Sequence, residues 1–233
     1  MSQRALIVLL FVVGVPVLAY FLVKNASEDA VDMPKRWFYD SVVTKTENGK
    51  LVHDTLWHRV SNFCLINQLG NQVCADDLKN KILIVDFFFT RCPNPCPTLT
   101  RNMKKLQDSY LKNDTLVHFL SFSVDPARDS VVALKNYADR FGVRHHNWWM
   151  LTGDKKVIYD LALNELKASV VDAGGNVDSS FIHTSYFYLL DKNRVVRGWY
   201  NGTDSASLTK LARDVSLLIL EKDKTKKRNL FRK

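Results

Sequence analysis

Residues 82–97 read ILIVDFFFTRCPNPCP, and this stretch decides the fold of the chain. Its first half is a continuous run of mostly branched and aromatic apolar residues, which is typical of a strand buried on both faces of a parallel or mixed sheet. Its second half carries Cys92 and Cys96 among three prolines, and Pro97 suits the start of a helix. A strand that leads through such a loop into a helix places sulfur beside unpaired backbone N–H groups, which stabilise thiolates.

Thiolates either attack disulfides or bind soft metals, and the spacing of these cysteines leaves both chemistries open. Three residues separate Cys92 from Cys96, one more than in the usual redox motif. A disulfide requires sulfurs about 2.05 Å apart, whereas two thiolates that share a metal lie roughly 4 Å apart. Because the prolines restrict the loop, either state costs little ordering. The spacing alone therefore predicts a redox pair or a metal site.

The segment before the central stretch predicts a β-hairpin. Two short β-type runs, 62–66 and 72–75, surround a turn near Gly70. If the turn is centred on Leu69, Cys64 lies opposite Cys74 and a cross-strand disulfide can form. A shift of one residue would break this pairing and leave two half-buried free thiols.

The segment after the central stretch alternates between helical and strand patterns. Asp129 suits the N-cap of one of the helices. The predicted elements are a helix from Pro97 to Tyr110, a strand over 116–124, a helix from Asp129 to Phe141, a strand over 148–151, a helix over 152–166, a flexible loop at Gly174-Gly175, a hairpin over 185–200 and a helix over 208–220. This order predicts an α/β domain with a thioredoxin-like fold and an N-terminal β-hairpin extension.

The N-terminus predicts one transmembrane helix. Ala5 to Val23 is a run of nineteen residues without a charge, and a helix of that length spans about 28 Å, close to the thickness of a bilayer's hydrocarbon core. A cleaved signal peptide is the alternative, although its apolar region is usually shorter. We therefore expect a transmembrane anchor over residues 1–24, a linker over 25–55, the folded domain over 56–220 and a basic tail over 221–233.

The net charge of +9 is concentrated in that tail. Residues 222–233 hold seven basic residues and one acidic residue, a net charge of +6. The rest of the chain is only weakly basic, so the charge does not predict nucleic-acid binding. The tail is interpreted as a solvated segment, with attraction to an anionic lipid surface as the alternative.

A metal held by the two cysteines would need a third ligand, and the chain has six histidines. His183 precedes the predicted strand that enters a thioredoxin-like sheet beside the cysteine loop. His118 alternates with apolar residues and is interpreted as a core histidine. His145 and His146 form a pair in a loop, where a second metal site is the alternative to a plain surface position.

Several motifs follow one another over residues 60 to about 215. They are NQLG at 67–70, LKNK at 78–81, FFFTRC at 87–92 with Cys96-Pro97, SVDPARD at 123–129, WMLTG at 149–153 and HTSYFYLLD at 183–191. In this order they resemble the Sco (SenC/PrrC) family of membrane-anchored copper proteins. The single N-terminal helix also fits that family, whereas Cys64 and Cys74 do not belong to its pattern.

The resemblance implies a copper site formed by Cys92, Cys96 and His183. Two soft thiolates and one imidazole suit Cu(I), for which three ligands suffice, whereas structural zinc normally has four. The family usually has an acidic residue directly before the histidine, and here that position is Ile182. The departure leaves Cu(II) binding open, because an acidic neighbour would orient the imidazole or assist at the metal.

The resemblance further implies a copper chaperone rather than a turnover enzyme. Such a protein delivers copper to, or reduces the cysteines of, the binuclear copper site of cytochrome c oxidase. The implied partners are the oxidase subunit that carries this site, other copper chaperones and the membrane. The implied location is the cytoplasmic membrane with the domain in the periplasm, or alternatively the mitochondrial inner membrane facing the intermembrane space.

Two other functions use the same cysteines. A thiol-disulfide oxidoreductase would act on a partner's cysteines through a mixed disulfide and would not need His183. A thiol peroxidase shares the fold, but the strand before Cys92 lacks the proline-led motif of such enzymes.

Overall fold

The computed structural model describes residues 12–23, 32–47, 50–168 and 185–221. The chain divides into two units, residues 1–33 and 34–233. In the first unit, residues 12–23 form helix α1, and the remainder of the predicted anchor lies outside the described residues. Within the described part of the chain, no helix is both long enough and apolar enough to cross a membrane. The basic tail beyond Glu221 and the predicted loop at Gly174-Gly175 also lie outside the described residues.

The second unit begins with a two-stranded antiparallel ribbon, formed by β1 (Tyr39–Glu47) and β2 (Lys50–Trp57). The predicted linker over 25–55 did not include this regular structure. Most of the ribbon's described side chains are exposed, among them Val42 and Val43. Because neither face is buried against a core, the ribbon has no alternation of apolar and polar residues that would mark it in the sequence.

A mixed seven-stranded sheet forms the centre of the domain, with the order β4-β3-β7-β6-β5-β8-β9. Its strands are β3 (Cys64–Asn67), β4 (Gln72–Cys74), β5 (Ile82–Phe88), β6 (Val117–Ser123), β7 (Trp148–Thr152), β8 (Tyr186–Leu190) and β9 (Val196–Asn201). β5, β6 and β7 run parallel to one another, and the other pairings are antiparallel. Every residue of β5 and β6 is buried, as the apolar runs predict.

The predicted hairpin is confirmed in β3 and β4, and the structure decides the register that the sequence left open. Cys64 lies opposite Cys74, and the two sulfurs form a disulfide. Gly70 adopts a φ of +80° in the turn, a conformation that glycine reaches without steric cost. The register that joins the two cysteines is therefore the one in which the turn is centred on Leu69.

Helices cover both faces of the sheet and complete two cores. The helices are α2 (Cys96–Ser109), α3 (Val131–Arg140), α4 (Lys155–Asp160) and α5 (Ser205–Leu220). α2, α3 and α5 pack on one face, where Leu99, Met103 and Leu134 are almost completely buried. α4 lies on the other face, and its Ile158 joins a core with Leu83 and Phe87. The alternating strands and helices confirm the predicted α/β architecture.

Polar side chains cap α3 and α4. Asp154 caps α4 by accepting the N–H of Lys156. Asp129 does not cap α3, because Ser130 is the N-cap and its side chain accepts the N–H of Ala133. The predicted role of Asp129 is therefore wrong, and its buried carboxylate is free for other contacts.

Several chain segments enter or leave the sheet at the same end of its strands. The parallel strands β5, β6 and β7 have their carboxyl ends there, so the segments that follow Phe88, Ser123 and Thr152 all leave from that end. β8 runs antiparallel to β5, with Tyr188 opposite Val85, so β8 begins near the same end. The cysteine loop lies at the centre of these segments.

Candidate metal centre

The cysteine loop connects the end of β5 to the start of α2. Pro95 is the N-cap residue of α2, and the helix begins at Cys96 with Pro97 in its second position. Proline suits the first turn, because its fixed φ matches the helix and the N–H that it lacks would have no partner within the helix. The predicted helix start is confirmed to within one residue.

The two sulfurs of the loop are buried and bonded to each other. Cys92 and Cys96 form a disulfide, and only 5% and 2% of their surfaces are exposed. The backbone N–H of Cys96 donates to Cys92 Sγ at 3.4 Å. This N–H belongs to the first turn of α2, where it has no partner within the helix. After reduction of the bond, the same donor and the positive end of the helix dipole can stabilise a thiolate on Cys92.

A buried carboxylate holds the chain just before Cys92. Asp129 is 1% exposed and accepts three hydrogen bonds. Its Oδ2 accepts the backbone N–H of Thr90 at 3.1 Å and Ser123 Oγ at 2.5 Å, and its Oδ1 accepts Thr90 Oγ1 at 2.5 Å. Sequence reasoning missed this contact. In the sequence, the contact could have been suspected from the acidic residue that ends the SVDPARD motif and from the threonine two residues before the first cysteine.

A second buried acid, Asp86, lies within β5. Its side chain is 1% exposed, and its Oδ1 has no hydrogen-bond partner among the described residues. Burial raises the pKa of this carboxyl to about 7, although a hydrogen bond with Ser121 opposes the shift. The only acidic residue in an otherwise apolar strand is the signal that could have marked it in the sequence.

Polar side chains also connect α2 to the core beneath the loop. Thr100 Oγ1 donates to the carbonyl of Cys96 at 2.9 Å and lies 2.9 Å from Tyr137 Oη. Burial raises the pKa of Tyr137 to about 12, so this hydroxyl stays protonated at neutral pH. Cys96 is thus fixed through its helix, whereas Cys92 is fixed through the loop.

The third predicted ligand, His183, lies outside the described residues, as does Ile182. Tyr186, three residues further along the chain, begins β8. β8 pairs with the strand that leads to Cys92.

The described histidines and carboxylates form no other metal centre. Within the described residues, no group of three or more His, Cys, Asp or Glu side chains could hold a metal ion. His118 is buried as predicted, and burial lowers its pKa to about 4, which keeps the ring neutral. His145 and His146 each lie 3.1 Å from a carboxylate, that of Asp139 and that of Asp114 respectively.

Comparison with known proteins agrees with this geometry. The family model described as SCO1/SenC matches residues 55–219, which include both strands of the hairpin, the cysteine loop and all of α5 except its last residue. The chain belongs to the SCO1/SenC family. The SCO1 protein homolog of Bacillus subtilis is 34% identical over 168 residues, which cover 72% of this chain and 86% of that relative.

Solved structures of Sco proteins share the fold. BsSco, a member of the Sco family of cytochrome c oxidase assembly proteins in which a disulfide switch was identified, is 32% identical with a TM-score of 0.60. The match covers 72% of this chain and 98% of BsSco. ScoI of Bradyrhizobium japonicum, solved with copper bound, is 25% identical with a TM-score of 0.52, over 66% of this chain and 98% of that one. The predicted thioredoxin-like fold and the family resemblance are confirmed.

The donor set of the loop suits a soft metal once the disulfide is reduced. Two thiolates are the ligands that Cu(I) prefers, and their burial restricts the access of water and competing oxygen ligands. Cys92 and Cys96 are the side chains of this loop that could hold such an ion. Two sulfurs alone leave the coordination open to a further ligand.

Proposed function

We propose that this Sco protein binds Cu(I) through Cys92, Cys96 and His183 and transfers it during the assembly of cytochrome c oxidase. The observation that carries the proposal is the buried cysteine pair at the start of α2, with a backbone N–H directed at Cys92 Sγ. Sco proteins are cytochrome c oxidase assembly proteins, and a copper-bound relative supports the choice of metal. Copper is the cargo of such a protein and is not a resident cofactor.

Loading requires reduction of the cysteine pair. A partner dithiol attacks the Cys92–Cys96 bond, and a mixed disulfide forms. The second thiol of the partner then displaces the protein's sulfur, so the partner leaves as a disulfide and both cysteines carry thiols. Binding of Cu(I) displaces the thiol protons, and the first turn of α2 favours the anionic form of Cys92.

Ile182 bears on the oxidation state that the site accepts. An apolar side chain beside the histidine supplies neither an oxygen ligand nor an orienting hydrogen bond. Cu(I) tolerates this loss better than Cu(II), which prefers more nitrogen and oxygen ligands in a tetragonal arrangement. We therefore expect Cu(I) to bind much more tightly than Cu(II).

The site assignment is tested with the full chain in detergent micelles. Cu(I) is titrated under anaerobic conditions against a chromophoric chelator, and X-ray absorption reports the coordination. We expect one Cu(I) per chain with two sulfurs and one nitrogen, and His183→Ala should lose the nitrogen and at least about tenfold in affinity. His146→Ala, which removes an exposed imidazole, is the matched control and should change neither. An unchanged spectrum and affinity in His183→Ala would show that the assignment is wrong.

The alternative function is thiol-disulfide exchange with the cysteines of the oxidase, without bound metal. The Cys92–Cys96 disulfide favours it, because an oxidised pair is one half of such a redox cycle. A complementation assay separates the two functions. A host that lacks its own Sco protein should not recover oxidase activity with His183→Ala if copper transfer is the function, whereas a reductase should tolerate that change.

We also propose that the apolar segment Ala5–Val23 holds the domain at a membrane, in the periplasm or in the mitochondrial intermembrane space. The proposal rests on the uncharged run of nineteen residues. After alkaline carbonate washing, the full chain should remain with the membrane fraction. Placing two lysines at Leu9 and Leu10 should release it, and release of the unaltered chain would contradict the anchor.

A further inference from the structure

Two motifs that are far apart in sequence meet behind the cysteine loop. Thr90 belongs to the stretch that ends in Cys92, and Asp129 closes the segment after β6, thirty-nine residues later. Three hydrogen bonds join Asp129 to Thr90 and to Ser123. The contact therefore links the carboxyl ends of two neighbouring parallel strands through one buried side chain.

Both side-chain oxygens of Asp129 accept hydrogen bonds in this contact, and neither of them caps α3. Asp129 is 1% exposed, and so deeply buried a carboxyl group is stable only when hydrogen bonds satisfy its oxygens. Two of its bonds, from Thr90 Oγ1 and Ser123 Oγ, are 2.5 Å long, at the short end of the range for hydroxyl donors. Ser130 caps α3, so capping does not explain the burial of Asp129.

The position of Thr90 makes this contact relevant to the sulfurs. Thr90 lies two residues before Cys92, on the side of the loop that α2 does not hold. Cys96 is fixed by α2, whereas the backbone N–H of Cys92 donates to the carbonyl of Phe89 at 3.2 Å, within the loop itself. Asp129 thus anchors one side of the loop while α2 anchors the other.

We propose that Asp129 is a positioning residue for the cysteine pair, which sets the place of Cys92 Sγ relative to Cys96 Sγ by holding Thr90. The inference rests on the proposed copper site. It adds that a residue without contact to the sulfurs or the metal tunes both the disulfide–dithiol equilibrium and the affinity for Cu(I). Loss of the contact lets Cys92 sample more positions, which disfavours the closed disulfide and the two-sulfur metal site alike.

Asp129 positions the loop through its hydrogen bonds and does not need a charge to do so. The oxygen of an asparagine at 129 could accept both bonds that Oδ2 accepts, from the N–H of Thr90 and from Ser123. Its amide group could donate to Thr90 Oγ1, because a hydroxyl oxygen also accepts. Asp129→Asn should therefore retain the position of the loop, whereas Asp129→Ala should not.

The experiment compares four variants of the full chain in detergent, each combined with Cys64→Ala and Cys74→Ala so that one disulfide remains. They are Asp129→Ala, Asp129→Asn, Thr90→Val and Ser130→Ala. The disulfide–dithiol equilibrium is measured against reduced and oxidised glutathione, with two glutathione thiols consumed for each protein disulfide reduced. Cu(I) affinity is measured separately by competition with a chelator, and urea unfolding reports stability.

We expect Asp129→Ala to weaken Cu(I) binding by about 10- to 100-fold, the usual effect of removing an outer partner of a metal ligand. It should also shift the glutathione equilibrium toward the dithiol by at least about tenfold. Thr90→Val, which keeps the N–H contact, should show a smaller shift in the same direction. Asp129→Asn should stay within about threefold of the parent in both measurements.

Ser130→Ala is the matched control, because it removes the adjacent helix cap and lowers stability without touching Thr90. The proposal is overturned if this control shifts both equilibria as much as Asp129→Ala, or if neither Asp129→Ala nor Thr90→Val shifts the glutathione equilibrium. If Asp129→Ala does not fold, Thr90→Val decides. If no variant and no parent binds Cu(I), the proposed function fails, and the glutathione measurement still tests the role of Asp129.

Discussion

The Cys92–Cys96 and Cys64–Cys74 disulfides lie in different surroundings. Cys92 and Cys96 are buried between the end of a central strand and the first turn of a helix. Cys64 is exposed and Cys74 half-buried, on a hairpin whose strand β4 forms the edge of the sheet. The first pair is shielded from solvent, and the second is partly open to it.

Backbone N–H groups show the difference most clearly. The N–H of Cys96 points at the sulfur of Cys92, whereas the N–H of Cys74 donates to Asp77 Oδ2 at 2.7 Å. The donor in the first case can stabilise a thiolate on Cys92, whereas the donor in the second case is bound to a carboxylate. The same covalent bond therefore suits chemistry in one region and cross-linking in the other.

Removal of a sulfur should give the largest contrast between the two regions. Cys92→Ser should weaken Cu(I) binding by about a thousandfold or more, equivalent to about 4 kcal/mol, because oxygen is a poor ligand for a soft ion. The double variant Cys64→Ala, Cys74→Ala should keep its affinity within about twofold. Anaerobic chelator competition measures both. Equal losses of Cu(I) affinity in the two variants would show that the two cysteine pairs do not differ in function.

Asp86, in the strand that leads to the cysteine loop, should make the stability of the domain depend markedly on pH. Its pKa is about 7 when folded, so the unfolded chain releases this proton at lower pH than the folded one. Stability should therefore fall as pH rises from about 4 to 7, by roughly 4 kcal/mol in total at about 1.4 kcal/mol per unit.

The substitution Asp86→Asn isolates that effect. Relative to the parent, the variant should gain stability progressively between pH 4 and pH 7 and stay the more stable form at pH 8. Urea unfolding at a series of pH values measures the difference. A difference between the two proteins that does not change with pH would show that Asp86 ionises normally.

Loss of the Cys64–Cys74 bond should cost stability while leaving the copper site unaffected. The bond closes a loop with a sequence separation of ten residues, for which chain entropy gives about 2–3 kcal/mol. Urea unfolding of Cys64→Ala, Cys74→Ala against the parent, both without reductant, measures the loss. An undiminished free energy of unfolding would mean that the β3–β4 hairpin needs no cross-link.

The smallest expected effect concerns the cap beside Cys74. Asp77→Ala should cost about 1 kcal/mol, since it removes the acceptor of the Cys74 N–H. Asp76→Ala is the neighbouring control and should cost less, because Asp76 forms only partly exposed ion pairs with Lys79 and Arg194. Neither change should alter Cu(I) affinity, and a shift in affinity would connect the two regions.

Much of the fold followed from local patterns. The run over 82–88 predicted a buried strand, because only a central strand accepts apolar residues on both faces. The turn near Gly70 predicted the β3–β4 hairpin, whereas the register that joins Cys64 to Cys74 was decided by the structure, since a shift of one residue would have broken the pairing. The ribbon β1–β2 escaped prediction, because a strand pair without a buried face leaves no apolar period to detect.

The candidate site was predictable in part. Cys92 and Cys96 were visible because their spacing, the prolines and the flanking strand and helix lie in one stretch of sequence. Asp129 was assigned to the wrong role, because helix capping is a local rule and its actual partner is thirty-nine residues away. His183 remains a prediction, since it lies outside the described residues.

The sequence by itself determined most elements of the central sheet and its helices, the family resemblance and the cysteine pair, because strands, helix starts and thiol motifs depend on neighbouring residues. Only the tertiary structure decided that the Cys92–Cys96 disulfide is buried at the start of α2, whereas the Cys64–Cys74 disulfide joins the edge strand β4 to its neighbour. It also decided that Thr90 and Asp129 meet, because parallel strands bring their carboxyl ends together whatever their separation along the chain. Contacts of that kind depend on topology, which no local pattern contains.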